Sequence, residues 1–507
     1  MNGRAPKSLV LVTVDCWRAD HAGFMGYPAP TTPFLDGLAA ESLVFPKAIV
    51  TGAPTYYSFP GLLASRFPLS LGREVVGLAP GEVTLATVLE RSGYETAAFV
   101  AANPYLSARF GYQQGFGVFR DFLSEEAARS YVMNSGERRQ QAAQRPRART
   151  RFNQRVAKLA HAFGPVGAMY DELYFQYCQR IAAPKNESWD SLRRFPAADV
   201  LVNEACTWLA SLGQRPFFLW LHLMDPHAPY YPPPQAIEAM GAGRVRPARG
   251  RYLNESWNRC DLGPGRLRKY RDEIVRLHDA GVRWVDIQMA RLVEALRASG
   301  RWESCVVALT ADHGEEFLDH GGRFHLPSRA YQESLHVPLL LRVPGVGKKV
   351  SSEAPFSHLH LAPTILDAIG IEPPAEFEGR SYWREVQAGA GWGLAVSESV
   401  GRCTNPMDPE KRLGSRVLVV QDRRHKLVLD FERRTEELFD LDADPGEQRI
   451  LPQDAEKTIR VRLLRAALQH LEGRDREPKA ALALAARVRQ FGLELSRPEM
   501  PSETAAT

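Results

Sequence analysis

No apolar run in these 507 residues is long enough to cross a bilayer, and none precedes the first strand as a secretory leader would. The expectation is a cytoplasmic chain without a transmembrane segment. Cysteine is scarce: Cys16, Cys178, Cys206, Cys260, Cys305 and Cys403 are scattered, with no close-spaced pair. That pattern fits reduced thiols and argues against a zinc site built from paired cysteines. A large charge excess is missing too. The net charge is only +5, so nothing points to nucleic acid.

What is present is a set of apolar β-type runs that end in acids. Ser8 to Val14 runs into Asp15, and Val306 to Leu309 leads into Ala311-Asp312-His313-Gly314. Continuous apolar runs of this length read as buried parallel strands, and ligands of open α/β sheets sit beyond the strands' carboxyl ends. Two strand-end acids with a neighbouring imidazole could converge on one divalent cation, which favours carboxylate oxygens and accepts a neutral histidine.

Strand and helix signals alternate between these runs. Thr32–Ala39, Thr84–Arg91, Asp199–Ser211 and Arg271–Ala298 read as helices. Thr96–Val100, Pro216–His222 and Val337–Val343 read as strands. The expected fold class is α/β, a mostly parallel central sheet flanked by helices. Residues 1–375 would form the catalytic domain, with 121–195 as a variable insertion. Arg138 to Lys158 carries eight basic residues and no acid, which reads as a solvated helix or loop, with a docking surface for an anionic substrate or surface as the alternative. Arg416–Val420 and His425–Asp430 read as antiparallel strands, and Ala455–Leu471 as a helix. They suggest a smaller α+β subdomain over 376–495, followed by a disordered tail, 496–507.

Several short motifs, taken in order, carry a resemblance. They are Thr13-Val14-Asp15-Cys16-Trp17-Arg18-Ala19-Asp20-His21, Thr32-Pro33-Phe34-Leu35-Asp36 and Leu62-Leu63-Ala64-Ser65-Arg66-Phe67-Pro68. Further on come Asp225-Pro226-His227-Ala228-Pro229-Tyr230, Asp312-His313-Gly314-Glu315, His336-Val337-Pro338-Leu339 and Leu361-Ala362-Pro363-Thr364-Ile365-Leu366. The last is Glu437 to Pro445. Together they resemble the sulfatase family of the alkaline phosphatase superfamily.

The resemblance implies that Asp15, Asp312 and His313 hold one divalent metal ion, which also contacts the nucleophile. Many sulfatases have a second acid after the first; here that position is Cys16, and the remaining Asp, Asp, His set resembles that of the superfamily's single-metal hydrolases, where calcium, manganese, magnesium or zinc can serve. The family's Cys or Ser motif, which is converted to formylglycine, aligns without a gap on Thr55-Tyr56-Tyr57-Ser58-Phe59. Its Pro and Arg are missing, so this is a variant lacking that motif. Threonine cannot yield an aldehyde, because its Cβ already carries a methyl. A threonine hydroxyl can still attack as a metal-activated nucleophile, which makes Thr55 the candidate and Ser58 the fallback.

By the same resemblance His227 and His325 contact the anionic group or protonate the leaving group. His222, Asp225 and His320 are expected to orient ligands, Asn103 to form a turn before Pro104, and His358 and His360 to be structural. The implied function is a metal-dependent hydrolase or transferase of phosphate or sulfate esters, acting on an anionic small-molecule or glycan ester. Alternatives are a sulfuric ester hydrolase that does not use formylglycine, and a non-catalytic anion-binding protein.

Overall fold

The computed structural model describes residues 7–123, 162, 165–181, 187–241, 243, 245–347, 349–350, 353–472 and 484–488. The basic segment at 138–158 and the tail at 496–507 lie outside them.

The central sheet has eight strands. In chain order they are β1 (Ser8–Val14), β2 (Leu43–Val44), β3 (Glu95–Val100), β4 (Val118–Arg120), β5 (Phe217–Leu223), β6 (Cys305–Ala311), β7 (Leu339–Arg342) and β8 (Lys349–Val350). Across the sheet they run β8-β2-β7-β6-β1-β5-β3-β4. The five strands β6, β1, β5, β3 and β4 are mutually parallel. Every residue of β1, β5 and β6 is buried, as a sheet covered on both faces requires.

The apolar stretch Val337–Val343 is not one parallel strand. His336–Val337 joins a separate three-stranded sheet, and β7 pairs antiparallel with β6. Strand direction depends on the route of the connecting loop, which an apolar pattern does not encode.

Helix α1 (Thr55–Ala64) is buried at all ten positions. α2 (Ala198–Ser211) and α3 (Pro264–Ala298) pack against each other beside the sheet. α3 begins seven residues before the expected Arg271. Pro264 suits a first helical turn, and Leu267 and Tyr270 extend the buried stripe.

The C-terminal subdomain is a four-stranded antiparallel sheet: β9 (Ala395–Val400), β10 (Arg416–Gln421), β11 (His425–Asp430) and β12 (Thr435–Asp440). Its alternation assigns the two faces. Val417, Val419, Val428 and Phe439 join the main core. Leu418, Val420, Leu427 and Leu438 pack on helix α4 (Lys457–Glu472) through Leu464, Leu468 and Leu471. Buried Glu398 ties the two parts together. It accepts from Leu69 N at 3.0 Å and His470 Nε2 at 3.0 Å, and lies 3.2 Å from Arg416 Nη1. Burial would raise its pKa, but His470 and Arg416 outweigh burial and bring it down to about 2. No helix among the described residues is long and apolar enough to cross a membrane.

Candidate active site

Sheet register sets the site. Val14 lies opposite both Leu223 and Ala311 on its parallel neighbours. The next residue on β1 is Asp15 and the next on β6 is Asp312, so the two carboxylates leave the sheet side by side. Asp15 N donates to Leu223 O at 2.8 Å and Asp312 N to Val14 O at 3.3 Å. Gly314 then lets the chain turn under the loop before β7. A Cβ there would stand 2.0 Å from Glu333 O, so only glycine fits.

Asp15, Asp312 and His313 are completely buried. His313 Nδ1 faces the carbonyl of Gly314 at 2.8 Å and must carry the proton. Its Nε2 is then a bare lone pair, 3.6 Å from Asp15 Oδ1 and 3.6 Å from Asp312 Oδ2. Thr55, the first residue of α1, donates its hydroxyl to that Nε2 at 3.2 Å. The structure therefore brings together Asp15, Asp312, His313 and Thr55. Ser58 does not join them; its hydroxyl bonds back to Thr55 O at 3.2 Å.

The electrostatics fit a cation. Asp312 is pushed up to about 7, first by burial and then by the charge of Asp15. Burial acts on Asp15 in the same direction, but His227, His222 and His313 hold it well below the usual carboxylate range. Asp312 Oδ2 is buried without a hydrogen-bond partner. Two buried carboxylates, one with an orphaned oxygen, plus an imidazole lone pair make a suitable set for one divalent ion.

His222 is closer to this set than expected. On β5 it lies opposite Thr13 and Val100. Its Nδ1 meets Thr13 Oγ1 at 3.0 Å, which turns Nε2 to within 3.4 Å of Asp15 Oδ2. Asp15, His222 and Asp312 can place three ligand atoms within 4.8 Å of one another. Asn103 forms the expected turn, with Oδ1 accepting from Tyr105 N at 3.1 Å, and its Nδ2 also donates to Asp15 Oδ2 at 3.0 Å.

Two expected orienting residues touch none of these groups. Asp225 accepts from Ala198 N at the start of α2, at 3.2 Å. His320 pairs with Glu333 at 2.6 Å and stacks on Tyr331. Motif position alone suggests the orienting role for both, and their loops carry the side chains elsewhere. His358 bonds to Thr310 Oγ1 and His360 accepts from Arg380 N, both structural contacts.

His227 and His325 stand over the site. Their ring centroids are 5.1 Å apart, and His325 is 4.6 Å from the His313 ring. With Thr55 and Asn103 they line a cleft of ≈ 290 Å³ whose walls include Tyr105 and Phe195. Sequence reasoning missed Glu315. It is buried, accepts from Tyr230 OH at 3.1 Å and pairs with His325 Nδ1 at 3.1 Å.

A mostly parallel sheet with acids at its central strand ends, under such a cleft, fits the α/β architecture implied by the resemblance to the alkaline phosphatase superfamily. Comparison with known proteins narrows this. The family model described as Sulfatase matches residues 7–371, and the one described as N-sulphoglucosamine sulphohydrolase, C-terminal, matches 323–474. The chain belongs to the sulfatase family. It is 24% identical over 504 residues to an arylsulfatase of Clostridium perfringens, covering 92% of this chain and 95% of that protein. It is 24% identical over 388 residues to an ulvan-active sulfatase of Formosa agariphila, covering 73% of this chain but only 63% of that protein. The solved phosphonate monoester hydrolase of Agrobacterium radiobacter shares the fold, with a TM-score of 0.61 at 19% identity. That match covers 95% of this chain and 96% of the other.

Proposed function

We propose that this protein is a metal-dependent hydrolase of phosphate or sulfate esters in which Thr55 is the nucleophile. One observation carries the reading. The Thr55 hydroxyl begins a fully buried helix, 3.2 Å from His313 Nε2, at the base of a cleft over two buried carboxylates. Asp15, Asp312 and His313 would hold one divalent ion, and calcium, manganese, magnesium and zinc all suit that donor set. When bound, the ion supplies positive charge that favours a deprotonated Thr55 and offsets charge on the ester oxygens.

This chain's own groups do the rest. Oγ1 of Thr55 attacks phosphorus or sulfur in line with the leaving oxygen. The bond to Oγ1 forms as the bond to the leaving group breaks. The N-terminal dipole of α1 stabilises the negative charge that gathers there. His227 and His325 meet the anionic oxygens, directly or by giving a proton to the departing alkoxide. Water then releases the threonine ester; an alcohol acceptor in its place would make the same chemistry a transfer.

Sulfatase and phosphonate hydrolase likenesses support both ester classes, and a sulfated or phosphorylated small molecule or glycan is the proposed substrate. A cytoplasmic setting accords with six cysteines that form no disulfide. Phosphate-monoester, phosphodiester and sulfate-ester turnover is the test. Thr55→Ala should abolish it with fold and metal content retained, and Thr55→Ser should keep it. Wild-type rates in Thr55→Ala would exclude this mechanism. A wild-type chain that binds the esters and turns over none would be an anion-binding protein.

A further inference from the structure

One helix of this fold presents its apolar side to solvent. Pro165–Arg180 rests on the body through polar side chains. Glu172 pairs with Arg259 at 2.7 Å, and Gln179 O accepts from Arg251 Nη2 at 3.0 Å. The Arg259 guanidinium also lies over the Phe175 ring, 4.6 Å from its centroid. The apolar residues point the other way. Met169, Leu173, Tyr177 and Ile181 recur at every fourth position and Tyr174 lies beside them, so they form one stripe. All five are between 42% and 72% exposed. They are half of the ten large apolar side chains that are exposed among the described residues. Scattered exposed apolar residues need no explanation, but a contiguous patch marks an interaction surface.

The charge around the stripe selects its partner. Arg180 is the exposed charged residue of the helix, while Asp171 and Glu172 are half-buried. Arg266, Arg268 and Lys269 stand exposed at the start of α3. Arg266 lies close by: the Gln176 amide, then Arg259 and Arg266, hold the Glu172 carboxyl below the ordinary carboxylate range against the effect of burial. Of the acids around it, Asp261 pairs with Arg259 and Glu273 with Arg249. In the chain, the stretch 138–158 with its eight bases and no acid ends shortly before Pro165, and a few residues tie its charge to this end of the helix. A two-fold contact with a second copy would set these basic groups against their own images, which opposes it. An apolar ridge among bases matches instead a bilayer with anionic headgroups. Tyr170, Tyr174 and Tyr177 stack in a row, with centroids 6.0 and 6.4 Å apart, and rings of this kind favour the level of the headgroups.

We propose that the helix Pro165–Arg180 docks this protein on an anionic lipid surface, with Met169, Leu173, Tyr174, Tyr177 and Ile181 seated in the bilayer interface. The helix lies along the membrane and does not cross it, since 16 residues are too few to span the hydrocarbon. A short apolar ridge alone gives weak, reversible binding, and the neighbouring bases add the second attraction that makes it hold. The inference is independent of the ester chemistry, because no residue of the stripe lines the cleft.

Sedimentation of the full-length protein with vesicles tests it, one set of phosphatidylcholine alone and one of phosphatidylcholine and phosphatidylserine in equal parts. The protein should pellet with the mixed vesicles, bind the neutral ones about tenfold less or weaker still, and come off as salt is raised. Leu173→Asp and Ile181→Asp should each lower binding to the mixed vesicles about tenfold or more. Both positions are exposed, so the unfolding midpoint should stay where it is. Leu173→Ala/Ile181→Ala, a milder change, should weaken binding in the same direction. Wild type that stays in the supernatant with the mixed vesicles would overturn the proposal. So would equal binding to both vesicle sets, or binding undiminished in these variants. A wild-type dimer in light scattering that becomes a monomer in Leu173→Asp would assign the stripe to a second copy and overturn the lipid assignment.

Discussion

Replacing Asp312 by asparagine in the metal-free protein should make it more stable above neutral pH. Burial, and then the charge of Asp15, push the Asp312 carboxyl up to about 7. A carboxyl whose pKa is raised by folding contributes most below its unfolded value, and the contribution is lost as pH rises through the folded value. That rise sets a ceiling of about 4 kcal/mol lost between about pH 4 and pH 7. Asparagine keeps the Oδ1 that accepts from His313 N at 2.8 Å and removes the charge facing Asp15. Asp225, raised to about 7, and Asp286, raised to about 6, titrate in the same window. The difference between wild type and variant therefore isolates Asp312. Urea unfolding of chelator-treated protein at about pH 5 and about pH 8 measures it. The variant's advantage should grow by up to about 3 kcal/mol between the two. Added metal should narrow the gap, because wild type gains about 2.7 kcal/mol at a hundredfold excess over its dissociation constant. A variant that is equally destabilised at both pH values would refute the reasoning.

Removing both acids is the complementary perturbation: Asp15→Ala/Asp312→Ala should lose the metal held with His313, measured by elemental analysis, and a retained equivalent there would contradict the ligand assignment. Thr55→Cys should remain a thiol by intact mass and gain no formylglycine-dependent sulfatase activity, because the motif's Pro and Arg are absent. Residues 1–375 and 376–495 are proposed as a catalytic domain and a docked subdomain. Limited proteolysis should not release the second as a folded fragment, since Val417, Val419 and Phe439 lie in the main core.

The two strand-end acids were legible because buried parallel strands are written as unbroken apolar runs. A parallel register then brings the residue at the end of each run to the same sheet edge. Thr55 was legible only by its place in a motif; nothing in its neighbours' polarity marks it. His222 was harder to assign because it sits inside an apolar strand, and only the pairing with Thr13 turns its Nε2 toward Asp15. Cys16, His227 and His325 lie far apart in the sequence, so no spacing rule shows that they meet. The same holds for Glu315, whose partner His325 arrives by a loop. In the subdomain, β9 and β12 are hard to read because Glu398, Glu436 and Glu437 interrupt the expected β pattern. Glu398 is a buried tether, and β12 is an edge strand whose first residues face solvent.

The central claim is a covalent role for Thr55. Rapid acid quench during turnover of a phosphate ester, with peptide mass analysis of the quenched protein, tests it most directly. The account predicts added phosphate on the peptide containing Thr55 in wild type and in Thr55→Ser, and none in Thr55→Ala. An unmodified Thr55 peptide throughout burst and steady state, or an adduct that persists in Thr55→Ala, would contradict it.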